Sequence, residues 1–140
     1  MELKGICPII ATPFTRTGEV DYESLEREVS FMADNGCHGV TLFGIAGEYY
    51  KLTDAESERM VRVVVDTCKK MGIPSIISVT QHATEVAAKR AKYYQDCGAD
   101  SLMLLPPYFL KPGAGAIYEH MKTVCNAVDI PVVVQYAPEQ

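Results

Sequence analysis

Residues 72–105, GIPSIISVTQHATEVAAKRAKYYQDCGADSLMLL, contain two short apolar runs separated by a segment with helical periodicity. The runs, Ser75–Val79 and Ser101–Leu105, are apolar without alternation, which is typical of strands buried on both faces of a parallel sheet. Small or apolar side chains recur between them at the spacing of one helix face. These are Ala87, Ala91 and Tyr94. The stretch therefore predicts a strand–helix–strand unit.

The same pattern repeats on both sides of this unit. Further apolar runs lie at Cys7–Ala11, Gly39–Phe43 and Val132–Tyr136. Further helical stripes are formed by Leu25, Val29 and Met32, by Met60, Val64, Cys68 and Met71, and by Ile117, Met121, Val124 and Val128. The helix signals agree: Thr53 and Glu56 form a capping box, and a glycine follows three of the helices, at Gly36, Gly72 and Gly98. Strands repeated with helices between them predict parallel pairing through helical crossovers.

Two α/β architectures accommodate this order. An open, flavodoxin-like sheet would place a fifth helix after its fifth strand, whereas this sequence ends four residues after Tyr136. A (β/α)8 TIM barrel typically needs about 250 residues. We therefore expect residues 1–140 to be the N-terminal portion of a TIM barrel, about four and a half βα units, truncated before the sixth strand.

The composition excludes several classes of partner. A net charge of −5 does not favour nucleic acid or an anionic membrane, since both attract clustered Lys and Arg. The N-terminus has no apolar signal region, and no apolar run approaches the ~20 residues of a membrane span. The five cysteines are odd in number and contain no C-x-x-C pair, which indicates reduced, mostly buried thiols. We expect a cytoplasmic protein.

Four sequence segments together resemble one enzyme family. They are Gly5–Phe14 followed by Gly18–Asp21, Phe43–Glu48 followed by Leu52 and Thr53, Leu105–Phe109, and Tyr136. Their order and spacing along all 140 residues resemble the N-terminal half of the dihydrodipicolinate synthase / N-acetylneuraminate lyase family. The resemblance implies a class I lyase or aldolase that forms a Schiff base between a lysine and pyruvate or a 2-oxo sugar acid. It implies no cofactor.

The resemblance places the Schiff-base lysine on strand six, beyond residue 140. We therefore expect the 140-residue chain to be inactive by itself, and its two open sheet edges to promote edge-to-edge dimerisation or aggregation. Family members are homo-oligomers, dimers or tetramers, and Phe109 matches a position at their tight-dimer interface. The alternative function is a non-catalytic half-barrel that serves as a binding or assembly module.

The resemblance assigns substrate binding to the turn after the second predicted strand. This turn contains Gly44, Ile45, Ala46, Gly47 and Glu48. Its glycines allow backbone N–H groups to approach a substrate carboxylate closely, and the donors expected to remain are those of Ala46 and Gly47. The alternatives are a tight βα turn without a ligand and a Glu48 that holds the loop through its carboxylate.

Other residues are predicted to act at the carboxyl ends of the strands, where TIM barrels carry their active sites. Tyr136 matches a catalytic tyrosine that relays a proton to the substrate, the alternative being a core tyrosine with a satisfied hydroxyl. His82 and Tyr108 are expected to contact substrate. The alternative for His82 is an ordinary polar loop.

Three positions depart from the family pattern. Ile45 and Ala46 replace two hydroxyl residues of the glycine-rich signature, and Phe109 replaces a tyrosine that completes a proton relay in dihydrodipicolinate synthases. The joint loss argues against dihydrodipicolinate synthase itself and favours a relative such as a sugar-acid aldolase or dehydratase.

Other chemistries have weaker support. His38 and His82 are predicted at opposite ends of the barrel and His120 on a helix, so we expect them not to converge and no metal site to form. No G-x-G-x-x-G opens the first helix, which disfavours dinucleotide binding. Lys51 and Lys111 are predicted in rim loops as solvated lysines.

Overall fold

The computed structural model describes residues 4–135, and the chain divides into two compact units, residues 1–76 and 77–140. The helices are α1 (Tyr22–Asp34), α2 (Asp54–Met71), α3 (Thr84–Asp96) and α4 (Ala114–Asn126). The strands are β1 (Val40–Leu42), β2 (Ser75–Val79), β3 (Ser101–Leu104) and β4 (Val132–Val134). They form a parallel sheet in chain order, β1-β2-β3-β4, and the boundary between the units falls inside β2. The predicted α/β class is confirmed.

The first predicted strand, Cys7–Ala11, is reduced to an isolated parallel bridge between Ile9 and Thr41. Thr41 N–H donates to the Pro8 carbonyl at 2.7 Å, and Ile10 N–H donates to the Thr41 carbonyl at 3.0 Å. Proline has no N–H and so cannot extend a ladder through its own donor. The segment nevertheless remains attached alongside β1.

The last predicted strand, Val132–Tyr136, is shorter than expected. β4 ends at Val134, and Tyr136 lies outside the described residues. β4 pairs in parallel with β3, with Leu102 opposite Val132 and Leu104 opposite Val134. Its valines are half-buried or exposed, whereas every residue of β2 is buried.

In the first unit, α1 packs against α2. α1 begins at Asp21, whose carboxylate accepts the Ser24 N–H at 3.0 Å, and it buries Leu25 and Val29. The hydrogen bonds from Ser24 lower the pKa of Asp21. α2 has the predicted capping box, and its left-handed glycine cap lies at φ 70°. Its predicted stripe is buried through Met60, Val64 and Cys68.

In the second unit, α3 packs against α4. The predicted stripe of α3 is confirmed, with Ala87, Ala91 and Tyr94 all buried. The stripe predicted for α4 is partly wrong, because the buried residues of this helix are His120 and Val124. Ile117 and Met121 are only half-buried, and Val128 lies beyond the helix end. The buried face is therefore centred on a histidine.

The cysteines are less buried than expected. All five are free, but only Cys68 is fully buried, so the prediction of mostly buried thiols is wrong. Partial burial still raises the pKa of Cys7 and of Cys125, which disfavours their reactive thiolate form. Among residues 4–135, no helix is both long and apolar enough to cross a membrane.

Two substitutions on α1 test the packing of the first unit. Leu25 is completely buried, and truncation of such a leucine to alanine costs about 2–5 kcal/mol through lost burial and a residual cavity. Phe31 is 66% exposed on the same helix. We expect Leu25→Ala to lower the free energy of unfolding in urea by that amount, or to abolish cooperative unfolding, and Phe31→Ala to lower it by less than about 1 kcal/mol. Equal losses in the two variants would contradict this packing.

Candidate substrate-binding turn and histidine pocket

The turn after β1 begins at a residue with a left-handed backbone conformation. Phe43 is buried and adopts a left-handed conformation at φ 66°, which is uncommon outside glycine. Residues Ile45–Gly47 then form a single 3-10 turn, closed by Gly47 N–H donating to the Gly44 carbonyl at 2.9 Å. Glu48 N–H donates to the Ile45 carbonyl at 3.0 Å. We call Gly44–Glu48 the glycine turn.

The glycine turn leaves a different pair of donors from the one expected. Gly47 N–H is committed to the turn itself, so the expectation that it remains available is wrong. Within the part of the chain that the structure describes, the N–H groups of Ile45 and Ala46 have no hydrogen-bond partner. Two adjacent, unpaired backbone donors at an exposed turn can bind an anionic group such as a carboxylate.

Close packing explains why the two glycines of the turn are glycines. A Cβ on Gly44 would lie 2.5 Å from the Ile9 side chain, and a Cβ on Gly47 would lie 2.9 Å from the Ile10 carbonyl oxygen. Both φ angles are ordinary, so space rather than conformation excludes a side chain here. The strand-end segment Ile9–Ile10 and the glycine turn are in direct contact.

Glu48 is oriented by a local ion pair. It is left-handed at φ 54°, and its carboxylate accepts a hydrogen bond from the Lys51 ammonium one turn later. This bond raises the pKa of Lys51. The arrangement agrees with the structural interpretation of Glu48, in which the carboxylate holds the loop. Lys51 is more than half exposed, as expected for a rim lysine.

A pocket of about 260 Å³ lies in the second unit, at the start of α3 and α4. Its walls are mostly apolar, with three polar side chains among them. The residues that line the pocket are His82, Thr84, Pro107, Phe109, Leu110, Pro112, Ala116 and His120. Tyr108 packs edge-on against the His82 ring, with 4.8 Å between ring centroids. The predicted residues His82, Tyr108 and Phe109 are thus neighbours.

His120 is the most buried polar residue of this pocket. It is 2% exposed, its Nδ1 lies 3.0 Å from the Thr84 hydroxyl, and its Nε2 has no hydrogen-bond partner among the described residues. Burial lowers the pKa of His120, His82 lowers it further, and Glu85 partly opposes the shift. Burial therefore favours the neutral form of the ring.

The two histidines of the pocket correct an expectation. His82 and His120 were expected not to converge, but both line this pocket and they interact electrostatically. In residues 4–135, no group of three or more His, Cys, Asp or Glu is placed to hold a metal ion. The sequence signal for His120 is its position between Ile117, Met121 and Val124, inside the apolar stripe of α4.

The loop between β3 and α4 presents an apolar tip. Phe109 is 70% exposed and Leu110 is 89% exposed. Leu110 and Lys111 are both left-handed, at φ 71° and 45°, and this turns the tip outward. An interface role for Phe109 stays a prediction. The same holds for catalysis by Tyr136, which lies outside the described residues.

Comparison with known proteins identifies the family to which this chain belongs. The model of the dihydrodipicolinate synthetase family matches residues 2–140. The chain belongs to the dihydrodipicolinate synthetase family. A 4-hydroxy-tetrahydrodipicolinate synthase from Methanococcus aeolicus is 32% identical over 99% of this chain and 47% of its own length. The chain thus spans about half the length of such curated relatives.

Solved structures agree with this family assignment. The crystal structure of dihydrodipicolinate synthase from Aquifex aeolicus matches 99% of this chain and 46% of that one, with a TM-score of 0.93 and 33% identity. A chloride-inhibited dihydrodipicolinate synthase from Acinetobacter baumannii, complexed with pyruvate, matches with a TM-score of 0.92 and 29% identity. These matches confirm the predicted N-terminal portion of a TIM barrel.

The family's members are lyases, but the comparisons do not identify the substrate of this chain. The expectation that this chain differs from dihydrodipicolinate synthase itself is not supported, because curated relatives at 30–35% identity are named 4-hydroxy-tetrahydrodipicolinate synthase. The substitutions Ile45, Ala46 and Phe109 therefore remain differences without an assigned consequence.

The buried histidine predicts a pH dependence of stability. Because its folded pKa lies below the unfolded value of about 6.5, the unfolded chain binds more protons as pH falls through 6.5. The stability that His120 provides is complete above that pH and is lost below it, by at most about 1.4 kcal/mol per pH unit. We expect urea unfolding between pH 7.5 and 5.5 to show a smaller loss in His120→Asn than in the unmodified chain. Equal losses in the two proteins would exclude this linkage.

Proposed function

We propose that this chain provides the carboxylate-binding turn and the proton-relay tyrosine of a class I, Schiff-base lyase acting on pyruvate or another 2-oxo acid. The observation that carries the proposal is the glycine turn, which presents the unpaired N–H groups of Ile45 and Ala46 at the end of β1 in a member of this family. The pyruvate complex of the Acinetobacter baumannii relative supports the choice of a 2-oxo acid.

In this proposal the amine is not one of the described lysines. A Schiff-base lysine must be neutral to attack a ketone, and partial desolvation is the usual means of lowering its pKa. Lys51 lies close to the glycine turn, but its ion pair with Glu48 raises its pKa and keeps it protonated. No lysine lies on a described strand. The family resemblance assigns the amine to a sixth strand.

The remaining roles follow the same assignment. Tyr136 relays a proton to the bound substrate, His82 and Tyr108 contribute to substrate binding, and Phe109 lies at an interface of a homo-oligomer. The neutral, apolar character of Ile45 and Ala46 means that the turn contributes backbone donors but no side-chain hydroxyls. A hydrogen bond to a charged group is worth about 1.5–3 kcal/mol, so the missing hydroxyls change how the carboxylate is held.

Two reactions are compatible with this site. One is the synthesis of 4-hydroxy-tetrahydrodipicolinate, the activity by which the relatives are named. The other is aldol cleavage or dehydration of a sugar-derived oxo acid. Direct assay of both product classes separates them. A non-catalytic half-barrel remains the alternative if neither reaction is found.

Borohydride trapping tests the mechanism. We expect no covalent adduct when the 140-residue polypeptide is incubated with pyruvate and borohydride, because its described lysines lie on helices and loops. We expect an adduct of one pyruvate per chain when the polypeptide is continued to the length of its relatives. Mass spectrometry detects the adduct. Failure of the longer protein to trap pyruvate and sugar-derived oxo acids would exclude the Schiff-base assignment.

Substitution of the tyrosine tests the relay. General acid–base catalysis contributes about 10²–10⁴-fold to rate. We expect Tyr136→Phe in the barrel-length protein to lower kcat within that range while the pyruvate adduct still forms slowly. Tyr118→Phe is the control, since Tyr118 is 61% exposed on α4. A kcat that is equal in the two variants would argue against Tyr136 as the relay.

A further inference from the structure

Two consecutive backbone N–H groups hold the segment before α1 in place through hydrogen bonds. Ile10 N–H donates to the Thr41 carbonyl of β1 at 3.0 Å. Ala11 N–H donates to the Glu28 carboxylate of α1, also at 3.0 Å. Glu28 is partly buried, and desolvation raises its pKa in spite of this bond. Thr12 therefore follows two residues that are held by a strand on one side and by a helix on the other.

Thr12 connects this fixed segment to the glycine turn. Its side chain is buried at 7% exposure, and its hydroxyl donates to the Gly47 carbonyl at 2.5 Å. The two residues are 35 positions apart in sequence, so the bond is a tertiary contact rather than a feature of the turn. It gives the Gly47 carbonyl, at the end of the 3-10 turn, a hydrogen-bond donor.

Steric contact and hydrogen bonding act at the same place. The position that a Cβ of Gly47 would occupy is 2.9 Å from the Ile10 carbonyl oxygen. Backbone therefore touches backbone here, and Thr12, two residues after Ile10, adds the attractive interaction. Together they fix the distance between the strand-end segment and the turn.

The turn itself has few means of holding its own position. Its central residues, Ile45 and Ala46, have no side-chain donors or acceptors, and Ile45 is 44% exposed. Their unpaired N–H groups lie in the peptides just before Gly47, and the Gly47 carbonyl that Thr12 holds fixes the C-terminal end of the same short turn. We propose that Thr12 is a positioning residue that orients the N–H groups of Ile45 and Ala46 toward a substrate carboxylate. This inference rests on the proposed function of the glycine turn.

Two variants of Thr12 isolate the hydroxyl. Thr12→Val removes the donor with little change in volume, and Thr12→Ser keeps the donor and removes a methyl group. In the 140-residue chain, we expect Thr12→Val to accelerate amide hydrogen exchange of Gly47 and Glu48 about tenfold, the equivalent of one ordinary hydrogen bond. Exchange in α2 should change much less, and Thr12→Ser should restore the slow rates. Unchanged exchange at Gly47 and Glu48 in Thr12→Val would overturn the inference.

Kinetics distinguish positioning from a purely structural bond. In the barrel-length protein, we expect Thr12→Val to raise the KM for the oxo acid about tenfold with a smaller change in kcat, and Thr12→Ser to restore KM. Faster exchange combined with an unchanged KM would also overturn the positioning role. The proposed function fails separately, if the barrel-length protein carrying the unmodified Thr12 traps no oxo acid while the exchange results still follow the hydroxyl.

Discussion

A parallel strand that is buried on both faces can satisfy its backbone only through its neighbours in the sheet, because no water reaches it. β2 meets this condition along its whole length, and most of β3 does too. Each connection must then return over the sheet, and helices with one apolar face do so in both units. The turns that follow the strands are not bound by this constraint on buried backbone groups. Both candidate regions lie in such turns.

The glycine turn is held by its backbone rather than by polar side chains at its centre. Its backbone closes through Gly44 and Gly47, and the space available excludes a Cβ at both. Neither feature needs the hydroxyls that Ile45 and Ala46 lack. In our proposal, a turn built in this way binds an anion through its backbone donors and depends on Thr12 for its position.

The histidine pocket has a different origin. His120 is buried in a helix face that would otherwise be apolar, and the Thr84 hydroxyl satisfies only one of its two ring nitrogens. Burial of an imidazole favours its neutral form, as the lowered pKa indicates. The apolar tip at Phe109 and Leu110 lines the same pocket, so any surface that covers the tip also changes access to His120.

The sequence by itself determined the class of fold, the start of α2 and the ends of three of the four described helices. Continuous apolar runs such as Ser75–Val79, the capping box at Thr53 and the glycines after the helices act through local conformation and burial, which single segments encode. The family resemblance added the glycine turn as a candidate site. It left Thr12 unnoticed.

Only the tertiary structure decided which distant groups meet. The Thr12–Gly47 bond, the Ala11–Glu28 bond and the meeting of His82 with His120 join residues that are far apart in sequence. Periodicity specifies which face of a helix is apolar, but not the rotation and register with which it packs. For that reason α4 buries His120 and Val124 rather than the full apolar stripe that its spacing predicts.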